Sequence, residues 1–296
     1  MKFFCSLILI LALLPIFSLP QTSVALAQEK AAEQPVQEKE KAADKTTKEE
    51  KVKPVIPKIP HPLPFKVGEI LLYDVSFERL IFSGSIGDMR FSVGKAESNQ
   101  PELITLTVDL VSKGFFPSLF GIKVKDQFSA IINKGDFGLF SSYRLRQEGK
   151  TNTEEKNQVN RKEGRVTYTL RDLANKDAEP KVVQADCPTW VQDIISAIYL
   201  LRTQELKEGA VIPVPITDRG ENYIIDVIIG KREEVKVDAG KFKTIKVETK
   251  AFGGRLIRKS GELFLWFSDD ARRLPVKARV KVSSTTVNIE LKKIQQ

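Results

Sequence analysis

Few residues in this sequence could do chemistry. The most suggestive are Asp269 and Asp270, adjacent carboxylates between Trp266 and Arg272. Glycoside hydrolysis needs one carboxyl group to protonate the leaving oxygen and another to attack or activate water, about 5 to 9 Å apart. Adjacent acids between two strands also make an ordinary solvated turn, and no second, well-separated carboxylate partner stands out. Asp193 and Ser196 form another polar pair, at a spacing that equally suits hydrogen bonds to nearby backbone. Nucleophilic routes are closed by composition. The only histidine of the 296 residues is His61, in a Pro-rich stretch. A Ser-His-Asp triad, a Cys-His pair and a His-based zinc site therefore have no parts to use. Gly84-Ser85-Ile86-Gly87 is not followed by the Gly-Lys-Ser/Thr of a phosphate loop. No Ser-x-x-Lys stands in a helical context. No catalytic residue, metal or cofactor is assigned, and the expectation is a protein that is not an enzyme.

Binding residues are better represented. Phe115-Phe116-Pro117-Ser118-Leu119-Phe120 follows a glycine where a hairpin loop is expected. Exposed, Phe116 and Phe120 would offer an apolar patch to lipid or a protein partner; otherwise they pack under the sheet. Lys277, Arg279 and Lys281 alternate along one strand face, with Arg255, Arg258 and Lys259 near in sequence. Such a stripe suits anionic lipid or an acidic envelope polymer, or is a solvated face. Nucleic acid is excluded, because no aromatic–basic platform is evident and the chain reads as exported.

The elements that position these residues are mostly strands. Leu71, Tyr73, Val75 and Phe77 alternate with Asp74, Ser76 and Glu78. Similar alternation runs through Met89–Val93, Ile104–Leu110, Val276–Val282 and Val287–Leu291. Period two with one polar face is the mark of antiparallel sheet covered on one side. Turn signals such as Lys134-Gly135-Asp136, Asp218-Arg219-Gly220 and Asp238-Ala239-Gly240 separate the runs. About a dozen strands follow. Leu263 to Phe267 is apolar at every position, so its outer face needs a cover of its own. One segment has helical periodicity. Thr189 is the expected cap, Trp190 to Leu206 the body and Gly209 the stop. Trp190, Ile194, Ile198 and Leu201 share a stripe beside Val191, Ile195 and Tyr199, so the helix should be buried. The predicted fold is mainly β: a large curved antiparallel sheet or open barrel with one buried helix over about 189–206.

The N-terminus reads as an address. Lys2, the apolar run Phe3 to Leu19 and Ala25-Leu26-Ala27 form a secretory signal with cleavage after Ala27. An uncleaved anchor is the alternative. Residues 28–64 hold seven acidic and eight basic residues and end in five prolines between Pro54 and Pro64. This composition cannot bury enough apolar surface to fold. Extended, it would reach about 110 Å at ~3.1 Å per residue. The expected organisation is signal 1–27, tether 28–64 and one β-rich domain 65–296, in which Cys187 is the only cysteine. An exported protein without a disulfide suits a bacterial periplasm, with at most peripheral membrane association once the signal is removed.

Four segments carry a resemblance. They are Phe65-Lys66-Val67-Gly68-Glu69 with Leu72-Tyr73-Asp74-Val75, Asp193 to Arg202, Ala239-Gly240-Lys241-Phe242-Lys243-Thr244, and Leu265 to Val276. In this order they resemble the bacterial envelope family called domain of unknown function 3108, over most of Phe65 to Leu291. The resemblance implies no activity and no catalytic residue. A looser, architectural similarity is to periplasmic half-barrel lipoprotein carriers, in which a curved sheet wraps an apolar ligand beneath a helix. The expected function is a non-enzymatic periplasmic protein that holds a lipid or another apolar envelope component. Phe116 and Phe120 would line the mouth, and Trp190, Ile194, Ile198 and Tyr199 the wall. The alternatives are an assembly factor that binds an envelope protein through the basic strand face or a sheet edge, and a glycan hydrolase built on Asp269 and Asp270.

Overall fold

The computed structural model describes residues 57–79, 82–97, 100–114, 121, 123–250 and 261–295. The first eight strands are β1 (Ile70–Arg79), β2 (Phe82–Lys95), β3 (Leu103–Ser112), β4 (Lys125–Asn133), β5 (Leu139–Glu148), β6 (Thr151–Asn160), β7 (Arg165–Asp172) and β8 (Lys181–Asp186). The helix α1 (Ile194–Thr203) follows. Six strands complete the chain: β9 (Val211–Asp218), β10 (Glu221–Val237), β11 (Gly240–Lys250), β12 (Glu262–Ser268), β13 (Pro275–Val282) and β14 (Thr285–Gln295). All fourteen join one antiparallel sheet in the order β8-β7-β6-β5-β4-β3-β2-β1-β14-β13-β12-β11-β10-β9. Two meanders, β1–β8 and β9–β14, are fused where the first and last strands pair.

The alternation read from the sequence is the alternation of burial. Leu71, Tyr73, Val75 and Phe77 are buried on the inner face of β1, and Leu106, Val108 and Leu110 on that of β3. Register shifts opposite Leu72/Tyr73 and Val75/Ser76, and at Ile229/Arg232, put bulges into β14, β2 and β10. Bulges bend a strand and increase its twist, which helps the sheet curl around one contiguous apolar core. Gly87 serves the same end. A Cβ there would stand 2.9 Å from the Val111 carbonyl oxygen, so only glycine lets β2 approach β3 this closely.

The helix is shorter than its periodicity predicts. Asp193, not Thr189, is the N-cap. Its carboxylate accepts from Ser196 N, and its own backbone N–H donates to Ser196 Oγ. This reciprocal capping box satisfies two otherwise orphaned donors. Thr189 and Trp190 form a turn closed by Val191 N–H donating to Pro188 O, and the backbone of Gln192 has a strand partner. Its N–H donates to Pro215 O, and its carbonyl accepts from Thr217 N. Gln192 Nε2 also donates to the Phe137 and Trp190 carbonyls. The helix stops at Thr203, six residues before Gly209, and Leu206 turns back into the core.

The sheet does not close through a backbone ladder. Its two ends meet through side chains instead, β5–β8 facing the hairpin of β9 and β10. Asn222 Nδ2 donates to Asp186 O at 2.7 Å. Arg144 faces Glu155 at 3.6 Å and Asp218 at 3.8 Å, and Arg219 faces Glu155 at 3.8 Å. Gly220 packs against Val183 and Tyr168. The result is a half-barrel whose rims touch across a charged seam. Among the described residues no helix is long and apolar enough to cross a membrane.

Candidate functional site

The chain entering β1 forms a strap over one end of the half-barrel. Ile59 and Leu63 pack on the core, and Gln204 Nε2 donates to Lys58 O. Ordered contacts with the domain thus begin before residue 65, where the composition changes. Phe65 is buried edge-on against Tyr199, at 4.9 Å between ring centroids, and against Phe137, at 6.2 Å. Gly68, at φ +97°, turns the chain so that its N–H reaches Val93 O, a conformation that favours glycine.

Beneath the strap lies a buried ion pair. Arg202 Nη1 and Nη2 donate to the two carboxylate oxygens of Glu69 at 2.6 and 2.9 Å. Arg202 also donates to the Pro64 and Arg272 carbonyls. Its guanidinium lies over the Phe65 and Tyr199 rings, 4.9 and 5.0 Å from their centroids. Burial works against its charge, but the Glu69 carboxylate outweighs that and holds its pKa above the ordinary arginine value. Burial also raises the Tyr199 pKa. One side chain of α1 therefore fixes the strap, the start of β1 and the turn after β12. None of these groups is free to react.

Outside Phe65 the strap and the ends of β2, β3 and β4 enclose a cleft of about 360 Å³. Leu63, Phe65, Val67, Val93 and Ile104 make its walls, and Lys66, Glu102 and Lys134 stand in its lining. Val67 is 44% exposed there. Small-molecule sites commonly combine this size, apolar walls and a few polar groups.

The residues singled out from the sequence are placed as follows. Phe116 and Phe120 lie outside the described residues. Trp190 and Tyr199 are buried, and Ile194 and Ile198 pack partly buried against the same core. Tyr199 also approaches Phe91 at 6.4 Å. The stripe fills the concavity next to the cleft, and Phe65 joins the two. The cleft itself escaped sequence reasoning, because its walls come from three separate segments. The Phe65–Glu69 motif is the one signal that could have found it.

The description "Protein of unknown function (DUF3108)" matches over residues 72–292. The chain belongs to this family. A β-barrel-like protein of the DUF1849 family from Brucella abortus superposes with a TM-score of 0.53 at 9% identity, covering 77% of this chain and 97% of that one. A protein of YmcC-like fold from Bacteroides fragilis aligns at 11% identity with a TM-score of 0.35, over 79% and 98% of the two chains. No curated protein matches the sequence. The Brucella likeness supports the half-barrel fold of this DUF3108 domain and carries no activity with it.

On the outer face of the DUF3108 domain, the apolar run of β12 gains its cover from cations. Lys246 lies 4.2 Å from the Phe264 ring centroid, and Lys277 and Arg279 lie 5.9 and 5.7 Å from that of Trp266. Long basic side chains lay their apolar stems on such rings. The cationic stripe is largely engaged. Lys277 pairs with Glu290, Arg279 donates to Asn288, and Lys281 stands 3.9 Å from Glu262.

Asp269 and Asp270 staple the turn between β12 and β13. Asp269 accepts from Arg273 and Arg232, which hold its pKa below the usual carboxylate range. Burial pushes Asp270 the other way, but Arg272 and Ser268 outweigh it. A general acid needs a raised pKa, and neither residue has one. Asp193, whose pKa burial raises, is committed to the helix cap. Burial also raises the Cys187 thiol, away from nucleophilic use.

The inner face of β4–β7 is unlike the rest of the concavity. Asp126, Arg146, Thr153, Arg144, Glu155, Ser142 and Asn157 occupy successive cross-strand positions on it. Asp126 is buried beside Glu148. Burial first, and then the Glu148 carboxylate, push its pKa up to about 8. Arg146 Nη2 donates to Glu148 at 2.8 Å. The three groups form an acid–acid–guanidinium set in which Asp126 keeps its proton at neutral pH. Among the described residues no group of three His, Cys, Asp or Glu side chains could hold a metal ion.

Proposed function

We propose that this protein is an exported, non-enzymatic component of the bacterial envelope that holds an apolar envelope molecule, with the cleft under the strap as its contact site. The observation that carries this reading is a cleft of about 360 Å³ with five apolar walls, one of them the 44% exposed Val67. A solvated apolar concavity favours an apolar occupant. The signal-like N-terminus supports export, and the engaged state of Asp269, Asp270, Asp193 and Cys187 supports a role without catalysis. The test is native mass spectrometry of the full chain, expressed with its own N-terminus and purified from a bacterial envelope extract, followed by organic extraction. A stoichiometric apolar component is expected. Protein that emerges empty and also takes up no added amphiphile overturns the reading.

A second reading has one observation in its favour. The inner stripe of α1 is packed against core, and the edge strand β8 leaves Val182 58% exposed. A filled core with an available edge suits a scaffold that adds a strand from an envelope protein. Cross-linking from β8 in cells distinguishes the two.

A further inference from the structure

We infer that the cleft under the strap selects a single-chain amphiphile with an anionic head, and that the strap is part of its recognition; this rests on the apolar-ligand reading above. The volume of the cleft limits its occupant. At about 30 Å³ for each water-sized group, 360 Å³ holds about a dozen groups the size of a methylene. That is one chain of medium length.

The rim of the cleft carries excess positive charge. Lys66 and Lys134 line the cleft from opposite sides, one on the strap and one on the β4–β5 turn. Both are exposed, and among the described residues neither ammonium has a carboxylate partner. Most other cations near the cleft are engaged: Arg202 with Glu69, and Arg161 with Asp136. Glu102 is the one carboxylate in the lining, against two lysines and His61. A chain seated against Val67, Val93 and Ile104 would place its head among the two ammonium groups. Complementary charge at a rim sets preference among ligands of equal apolar area.

The strap itself builds much of the cleft. Six of the lining residues, His61, Pro62, Leu63, Phe65, Lys66 and Val67, belong to the strap. Filling the cleft ties the strap down on both faces, because Phe65 already packs on Tyr199 and Arg202. The ligand would thereby fix the point at which the preceding Pro-rich segment leaves the domain.

The test is isothermal titration calorimetry of the full mature chain with dodecanoate, dodecyltrimethylammonium and dodecanol, each below its micelle concentration. Dodecanoate should bind at least tenfold more tightly than the cationic amphiphile, with dodecanol between. The double variant K66E/K134E should reverse the order. Val67→Asp, at an exposed position, should weaken all three at least tenfold while the circular dichroism spectrum and thermal midpoint stay unchanged. Equal affinity for the anionic and cationic chains overturns the head-group inference and leaves the apolar cleft standing. Failure of all three ligands to bind a folded protein overturns both.

Discussion

On the side of β1–β3 and α1 the concave face is apolar: Leu71, Val75, Leu106 and Val108 meet Leu200 and Tyr199 with almost no exposure. On the side of β4–β7 the same face carries Asp126, Arg144, Arg146, Glu155 and Asn157. There Arg146 Nε, Thr153 Oγ1 and Asn157 Oδ1 have no protein hydrogen-bond partner, a pattern that folded proteins complete with ordered water. The first region is held by burial, with one ion pair sealed inside it. The second is held by charges at the seam where β5 and β6 face the β9–β10 turn. The apolar stripe of α1 packs against β3, β4 and β9; over the inward polar positions of β5 and β6 it would strand polar groups.

Breaking the sealed pair should have the largest effect. Arg202→Ala leaves Glu69 buried without its partner and should cost about 3–5 kcal/mol in urea denaturation. Arg202→Met combined with Glu69→Leu should recover most of that loss. If the double variant is no better than the single, the pair is not isolated from water as described. At the seam the cost should be smaller. Arg144→Met removes contacts to Glu155 and Asp218 but leaves Arg219 in place, so about 1.5–3 kcal/mol is expected. Hydrogen exchange should rise in β8 and β9 and stay unchanged in β1–β3.

The polar region should also respond to pH where the apolar one does not. Folded Asp126 holds its proton up to about pH 8, whereas an unfolded aspartate releases it near 4. The raised pKa therefore stabilises the fold most at the acid end. This contribution fades as pH rises and is gone once Asp126 is ionised in both states. Asp126→Asn should flatten the decline in stability between pH 6 and 8, measured by denaturation at each pH; an unchanged slope refutes the shared-proton arrangement. The smallest effect belongs to the outer face. Lys277→Ala breaks a part-exposed pair with Glu290 and should cost about 0.2–1 kcal/mol.

Much of this contrast was legible in the sequence on one side only. The alternation from Leu71 to Phe77 predicts β1 and its buried face, because burial on one side of a strand imposes period two. The strands β5 and β6 read poorly. Ser142, Arg144, Arg146, Thr153, Glu155 and Asn157 face inward, yet nothing in their chemistry announces a buried face. The apolar stripe announces the helix, but the helix starts at Asp193 and not at Thr189. The rival claim on residues 189–192 came from β9, whose edge is more than twenty residues downstream. Asp193 and Ser196 were noticed as a pair, and they make the cap.

The sequence by itself determined the composition of the entry segment, the antiparallel alternation, a buried helix after β8 and the absence of histidine chemistry in the folded domain. These are local properties, fixed by which residues can be buried or ionised and at what spacing. Only the tertiary structure decided that β1 pairs with β14, that Arg202 meets Glu69 across 133 positions, and that the strap, β2, β3 and β4 leave a cleft between them. Those contacts depend on how a twisted sheet curls back on itself, which no single stretch of sequence encodes.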